Sequence, residues 1–182
     1  MAWKLKKTVV LVGMMGAGKT AVGKALSAKL GVPFLDSDAE IVAAANMEIA
    51  EIFARDGEAF FRDKESQVIE RLLGDEPCVL STGGGAFLAE RNRDAISAQG
   101  VAVCLQADLQ LLWNRVKHKD TRPLLRTANP YATLSEIYAA RAPIYALADL
   151  KVPVEPSYSI EMTCDKVVGA LLTRQDVLEC ET

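Results

Sequence analysis

The residues from Gly13 to Thr20 form a glycine-rich loop whose composition suits phosphate binding. Their sequence, GMMGAGKT, fits the pattern G-x-x-x-x-G-K-[ST] and directly follows the apolar run Thr8–Val12. Glycines let backbone N–H groups approach an anion, a lysine reaches the β- and γ-phosphates, and a threonine hydroxyl can ligate Mg²⁺. An accidental glycine turn would not need the amphipathic helical pattern that follows over residues 21–30. The pattern therefore predicts a site for nucleotide phosphates at Gly16, Ala17, Gly18, Lys19, Thr20 and Ala21.

Two carboxylates, Asp36 and Asp38, follow the next apolar run. On position alone, capping of the predicted helix 39–45 and a functional role are equally open, because Asp is a favoured N-cap residue. Phosphoryl-transfer enzymes often place a metal-organising Asp at the end of a later strand, but the apolar run at residues 78–82 ends without one. We therefore predict Asp36 as the outer-shell carboxylate for Mg²⁺, with Thr20 as its other protein group. Asp38 is then the candidate acceptor of a substrate hydroxyl proton.

Two later segments have the composition of substrate-binding and closing elements. Gly83, Gly84 and Gly85 could form only a flexible turn, but they follow a predicted strand at the edge where parallel sheets bind ligands. Bare backbone N–H groups there could approach a small polar substrate. The basic segment 117–126 is by default a charged surface loop, yet such a segment can close over a nucleotide and bring an arginine to the transferred group. We expect a mobile lid over about residues 117–130.

Short apolar runs alternate with helical patterns along the whole chain. The runs lie at Thr8–Val12 and at residues 33–35, 78–82, 101–105 and 150–154. Their near-continuous Val and Leu content is typical of strands that are covered on both faces, and the alternation is typical of right-handed crossovers in a parallel sheet. We predict one three-layer α/β domain over residues 1–182, with a five-stranded parallel sheet and helices on both faces. The tail 173–182 is expected to fray.

Composition narrows the possible partners and compartments. Of 182 residues, 50% are hydrophobic and 25% charged, and the net charge of −3 disfavours nucleic-acid and membrane-surface binding, which usually need a basic face. No stretch is long enough to span a bilayer. The four cysteines have no C-x-x-C spacing, which is typical of reduced thiols in a cytoplasm. We expect a cytoplasmic monomer that binds small molecules.

Taken together, these motifs resemble those of the shikimate kinases over nearly the whole chain. The resemblance is carried by the first glycine loop, Asp36-Ser37-Asp38, Gly57-Glu58 with Phe61-Arg62, Thr82-Gly83-Gly84-Gly85, Arg122-Pro123-Leu124-Leu125 and Arg141-x-Pro143-x-Tyr145. One motif would be weak evidence, but the ordered set at similar spacing is specific. The resemblance implies the P-loop NTPase fold and phosphorylation of the 3-hydroxyl of shikimate by ATP, a step toward chorismate and the aromatic amino acids.

The resemblance also implies roles for individual residues. Shikimate would bind through the helical segment 38–74 and the glycine triplet, with two arginines on its carboxylate. Arg115 would lie near adenine, and Asp36 would reach Mg²⁺ through water. The implied catalytic residues are Lys19, Asp38 and Arg122, with Arg122 on the phosphates, and the implied shikimate-binding residues are Asp38, Arg62, Gly83, Gly84, Gly85 and Arg141.

Simpler or competing interpretations stand beside these roles. From its position alone, Arg62 would be a solvated helix arginine paired with a neighbouring acid. A gluconate kinase, another small P-loop sugar-acid kinase, is the nearest enzymatic alternative. A nucleotide-driven switch without a small acceptor is disfavoured because the chain has no N-K-x-D guanine signature.

Overall fold

A five-stranded parallel sheet lies at the centre of the computed structural model, which describes residues 2–118 and 125–181. The strand order is β3-β4-β2-β5-β6. These strands are β2 Thr8–Val12, β3 Phe34–Asp36, β4 Val79–Ser81, β5 Gly100–Gln106 and β6 Leu150–Pro153. The five predicted strands are thus present, with seven of their ten ends shifted by one residue and the other three unchanged.

Burial along the central strands shows that the sheet is covered on both faces. Every residue of β2 is buried, and so is β5 from Gly100 to Leu105. Successive side chains of a strand point to opposite faces, so unbroken burial requires a packed layer on each side. This explains why these runs are continuously apolar and do not alternate with polar residues.

The helices follow the strands in the predicted alternation. They are α1 Lys19–Leu30, α2 Ser37–Ala45, α3 Ile49–Asp56, α4 Glu58–Leu73, α5 Glu90–Gln99, α6 Leu109–Val116, α7 Pro130–Tyr145 and α8 Ile160–Leu171, with a short 3₁₀ turn at Ala86–Leu88. Gly57, at φ 87°, separates α3 from α4. Within the described ranges, each helix is too short or insufficiently apolar to cross a bilayer.

The chain's last residues differ from the sequence prediction. The expectation of a frayed tail over 173–182 was wrong, because β7 Leu178–Glu181 pairs antiparallel with β1 Ala2–Leu5 in a separate two-stranded sheet. Val177 and Leu178 are 0% and 1% exposed, so burial of their side chains anchors the segment to the core. The short, polar-flanked run at the end of the sequence carried no alternation strong enough to predict this strand.

Part of the predicted lid cannot be compared with the structure. Residues 119–124 lie outside the described residues, and Arg122 is among them. Its proposed role on the phosphates stays a prediction from the sequence. The same holds for closure of the segment 117–130.

Candidate active site

The first glycine loop joins the buried strand β2 to helix α1, as predicted. Gly13, Gly16 and Gly18 adopt φ values of 146°, 85° and 102°, in which other residues are strained. Gly18 is also the N-cap of α1, so the loop leads directly into the helix N-terminus and its partial positive charge. Lys19 Nζ donates to the Gly13 carbonyl at 2.6 Å. This strand–loop–helix geometry can bind an anion through main-chain N–H groups.

The end of helix α6 packs against the same loop. Arg115 Nη1 donates to the carbonyls of Gly16 at 2.9 Å and Ala17 at 3.2 Å. A methyl group on Gly16 would lie only 2.9 Å from Val116 Cγ1. The structure therefore places Arg115 beside the phosphate loop, in contact with its backbone. The position near adenine that the resemblance implies for Arg115 stays a prediction.

A single cleft of about 730 Å³ connects the loop with four of the six predicted substrate residues, while Arg62 and Gly85 are not among the residues that line it. The glycine loop and Thr20 line one part, and Asp36, Asp38, Gly83, Gly84 and Arg141 line another. The outer wall includes Tyr158 and Ile160 from the start of α8. The cleft thus brings together residues from six separate segments of the chain, including Arg115, at the carboxyl ends of the strands, where ligands bind in such sheets.

The glycine triplet is the point on which the candidate substrate side chains converge. Each glycine faces a different one of these side chains across the space that a Cβ atom would occupy. A methyl group would lie 2.7 Å from Asp38 Oδ1 at Gly83, 3.1 Å from Arg141 Nη1 at Gly84, and 2.5 Å from Arg62 Nη1 at Gly85. The sequence suggested glycines for access to the backbone, and the structure adds a second reason, which is room for three functional groups.

Hydrogen bonds fix the triplet in place. Gly83 N–H donates to Ser37 Oγ at 3.3 Å, and the Gly84 carbonyl accepts from Tyr145 Oη at 2.6 Å and Arg141 Nη1 at 3.3 Å. Ser37 is fully buried. Among the described residues, the N–H groups of Gly84 and Gly85 have no protein acceptor. Those two groups, and not Gly83 N–H, are the main-chain donors available to a substrate.

Arg62 combines both of the interpretations that its sequence position left open. Its Nη1 donates to Glu65 Oε1 at 2.9 Å, and its Nε lies 3.9 Å from Glu58 Oε1. The pairing with neighbouring acids is therefore real, yet the guanidinium also faces Gly85, the last glycine of the triplet. Glu65 was missed by sequence reasoning, although its i,i+3 spacing from Arg62 on one helix is a recognisable signal.

Glu65 is a buried carboxylate that pairs with Arg62. Its side chain is only 1% exposed, and burial raises its pKa while Arg62 lowers it. A buried carboxylate requires such a partner, because an unpaired one would be strongly disfavoured. Ser37 and Tyr145 were also missed as site residues, since neither residue type nor spacing alone shows a contact between distant segments.

The two carboxylates after β3 have different surroundings. Asp36 Oδ1 accepts from the N–H groups of Asp38 at 2.9 Å and Ala39 at 3.2 Å, so Asp36 does cap α2 while it also lines the cleft. Burial, and then the charge of Asp36, raise the pKa of Asp38, which Lys19 and Arg62 partly offset. Asp38 is therefore a better proton acceptor than an exposed aspartate, even though the charges of Lys19 and Arg62 act against the rise in its pKa.

Comparisons with known proteins agree with this geometry. Residues 15–171 match the Shikimate kinase family model. The chain is 70% identical to a shikimate kinase of Ruegeria pomeroyi, over 96% of this chain and 90% of the relative. Its structure is similar to that of the Acinetobacter baumannii shikimate kinase in complex with shikimate, with a TM-score of 0.81 and 34% identity over 93% of this chain and 94% of that one.

Gluconate kinase, the enzymatic alternative from the sequence, is less similar to this chain. A gluconokinase from Sinorhizobium meliloti gives a TM-score of 0.62 at 18% identity, over 93% of this chain and 94% of that one, which shows a shared fold and no more. The predicted three-layer α/β architecture of the P-loop NTPases is confirmed by the sheet and by its structural neighbours. The family match and the high identity over almost the full length show that this chain belongs to the shikimate kinase family.

Proposed function

We propose that this chain transfers the γ-phosphoryl group of ATP to the 3-hydroxyl of shikimate, which gives shikimate 3-phosphate and ADP. The observation that carries the proposal is a single cleft with a phosphate-binding loop in one part and Asp38 and Arg141 in another. Arg62 lies beside them, against the last glycine of the triplet. Such an arrangement suits a phosphate donor beside a small, anionic, hydroxylated acceptor. The product would serve the route to chorismate and the aromatic amino acids.

Two arginines provide the basis for recognising a carboxylate. Arg62 faces Gly85 and Arg141 faces Gly84, so their guanidinium groups approach adjacent residues of one turn from helices α4 and α7. A planar guanidinium can bind a carboxylate through two parallel hydrogen bonds, which a lysine does not reproduce. Asp38 and the main-chain donors of Gly84 and Gly85 are then available to the ring hydroxyls.

The phosphate side depends on alignment and charge. The N–H groups from Gly16 to Ala21 and the N-terminus of α1 would bind the phosphates, and Lys19 would leave the Gly13 carbonyl for the β- and γ-phosphates. We assign Arg115 to the adenine end and Arg122 to the transferred group, the latter from the sequence alone. Phosphoryl transfer is accelerated mainly by such positioning and electrostatic stabilisation.

Asp38 is the proposed general base. As the 3-hydroxyl oxygen forms its bond to the γ-phosphorus, the hydroxyl proton passes to an Asp38 carboxylate oxygen. The bond between the γ-phosphorus and the bridging oxygen breaks, and its electron pair leaves with ADP. The raised pKa of Asp38 supports this role because a base is most effective when its pKa approaches the working pH.

The donor set in the cleft also fits a nucleotide-bound Mg²⁺. Thr20 and Asp36 line the cleft, while the described residues contain no group of three His, Cys, Asp or Glu side chains able to hold a metal. Mg²⁺ commonly keeps several waters and binds through phosphates and one or two protein groups. Thr20 would hold the ion directly and Asp36 through water. The bound ion would neutralise charge on the β- and γ-phosphates.

A coupled assay of ADP release tests the proposal. With ATP and Mg²⁺, we expect turnover that depends on shikimate, and an NMR spectrum that places the phosphate on the 3-hydroxyl. Gluconate is the matched alternative acceptor, and a higher kcat/KM for gluconate would overturn the assignment. ADP release at an equal rate without any acceptor would instead favour a nucleotide-driven switch.

We also propose that the protein acts as a cytoplasmic monomer on small molecules, with neither nucleic acid nor membrane as a partner. The acidic net charge supports this proposal. Sedimentation at micromolar protein concentration should give the mass of one chain. A dimer mass that persists on dilution would contradict it.

A further inference from the structure

Tyr145 connects helix α7 to the glycine triplet. It is the last residue of the helix, is 4% exposed, and donates its hydroxyl to the Gly84 carbonyl at 2.6 Å. Its ring stacks on Phe87, with centroids 6.5 Å apart and planes at 23°. Phe87 is 2% exposed and lies in the 3₁₀ turn that follows the triplet. Ring stacking on Phe87 and the hydrogen bond to the Gly84 carbonyl thus fix the position of the tyrosine side chain.

The same carbonyl is also within reach of Arg141, one helical turn before Tyr145. Arg141 Nη1 lies 3.3 Å from the Gly84 oxygen, compared with 2.6 Å for the tyrosine hydroxyl. The tyrosine hydroxyl therefore makes the stronger hydrogen bond to the main-chain oxygen, and the bond from Arg141 is long and weaker. Burial raises the pKa of the Tyr145 hydroxyl. The positive charge of Arg141, and a hydrogen bond from its side chain, partly offset that rise, so the hydroxyl stays protonated and remains a donor at neutral pH.

We propose that Tyr145 is a positioning residue that satisfies the Gly84 carbonyl and thereby leaves the Arg141 guanidinium to the carboxylate of the substrate. Without the hydroxyl, Arg141 would be the remaining donor to that oxygen in the described part of the site. A guanidinium has five N–H donors, so a tighter bond to the main chain would not block it, but it would fix the plane of the group toward Gly84 and away from the two parallel bonds that a carboxylate accepts, which weakens substrate binding. This inference rests on the proposed function, because it concerns the carboxylate of shikimate.

Tyr145→Phe isolates the hydroxyl because it retains the ring and its stacking on Phe87. We expect the KM for shikimate to rise about fivefold, the change in equilibrium that one neutral hydrogen bond typically represents. The KM for ATP and kcat should stay close to the wild-type values. Tyr138→Phe is the matched control, since it removes a hydroxyl from the same helix without a contact to the triplet, and it should change none of these constants.

A double-mutant cycle with Arg141→Ala separates positioning from general structural damage. If Tyr145 acts through Arg141, Tyr145→Phe should leave kcat/KM for shikimate unchanged when Arg141 is already alanine. A further fivefold loss in that background, or equal changes in the KM for shikimate and ATP, would overturn the inference. So would a wild-type KM for shikimate in a Tyr145→Phe variant whose thermal unfolding matches that of wild type.

The two proposals fail in different ways. If wild-type protein does not phosphorylate shikimate, both are wrong. If wild type does so and Tyr145→Phe has no effect on shikimate binding, only the role of Tyr145 is wrong.

Discussion

Gly85→Ala should displace the Arg62 guanidinium without disturbing the backbone. Gly85 has φ −96° and ψ −10°, a conformation that alanine adopts readily. The new methyl group would lie 2.5 Å from both Nη atoms of Arg62 and 2.8 Å from its Cζ. Ordinary contact between such atoms requires roughly 3.5 Å, so the guanidinium must move by about 1 Å. Because it ends a flexible side chain, it can move while the fold stays intact.

The displacement of the Arg62 guanidinium should weaken the binding of shikimate. It would disturb the 2.9 Å bond between Arg62 and Glu65 and move the guanidinium away from its alignment with the carboxylate. Hydrogen bonds to charged groups contribute about 1.5–3 kcal/mol, which corresponds to a rise in the KM for shikimate of roughly 10- to 150-fold. Steady-state kinetics with each substrate varied in turn should show this rise for shikimate and little change for ATP.

Gly74→Ala provides the control for the intrinsic effect of a glycine-to-alanine change. Gly74 has a similar backbone conformation, with φ −84° and ψ −11°, and its added methyl group would lie no closer than 3.5 Å to another atom. Gly74→Ala should unfold at nearly the wild-type temperature. Gly85→Ala should stay folded but unfold at a lower temperature, because it disturbs the pairing of the buried Glu65 carboxylate, and only Gly85→Ala should lose affinity for shikimate. A wild-type KM for shikimate in Gly85→Ala would refute the assignment of Arg62 to the carboxylate.

Three further predictions test the other groups of the cleft. Arg141→Ala should raise the KM for shikimate far more than that for ATP, and equal rises would argue against a carboxylate contact. Lys19→Ala should reduce kcat by roughly a thousandfold if the lysine stabilises transition-state charge, and near-normal turnover would remove it from the mechanism. Because Asp38 must be ionised to accept a proton and its pKa is raised, kcat/KM for shikimate should fall with decreasing pH, and it should do so at a higher pH than an unperturbed aspartate would give. Asp36→Asn should lower turnover if Asp36 helps to hold Mg²⁺, but it also removes a neighbouring charge that raises the pKa of Asp38. The acidic limb of the pH–rate profile should therefore lie at lower pH, whatever the maximal rate, and an unmoved limb would contradict the assignment of Asp38.

Much of the architecture could be predicted because the signals are local. The run at β2 is continuously apolar, and full burial of Thr8–Val12 is the physical cause of that pattern. The following loop could be recognised because the positive φ values at positions 16 and 18 favour glycine, so the loop conformation is reflected in the residue types Gly16 and Gly18. The resemblance to a known family then placed Asp38, Arg62 and Arg141, which meet at the triplet as that resemblance implied.

The supporting contacts could not be predicted because they join distant segments. Tyr145 reaches Gly84 across 61 positions, and Ser37 reaches Gly83 across 46. The residue type does not predict the partner in either case, since tyrosine and serine occupy many buried positions in unrelated roles. Pairing of the chain's two ends was missed for the same reason, because Leu5 and Leu178 are in register only after the whole domain has formed between them.

The two glycine-rich segments owe their composition to different physical causes, and this difference predicts their tolerance to change. At Gly18, φ is 102° and the nearest atoms to an added methyl group are 3.7 Å away, so the cost of a side chain there is backbone strain. At Gly83 the cost is instead contact with Asp38 Oδ1 at 2.7 Å, with no positive φ to strain. Changes at Gly18 should therefore distort the phosphate loop itself, whereas changes at Gly83 should act through the carboxylate that it accommodates. The first should be visible as altered ATP binding and the second as an altered response of shikimate turnover to pH.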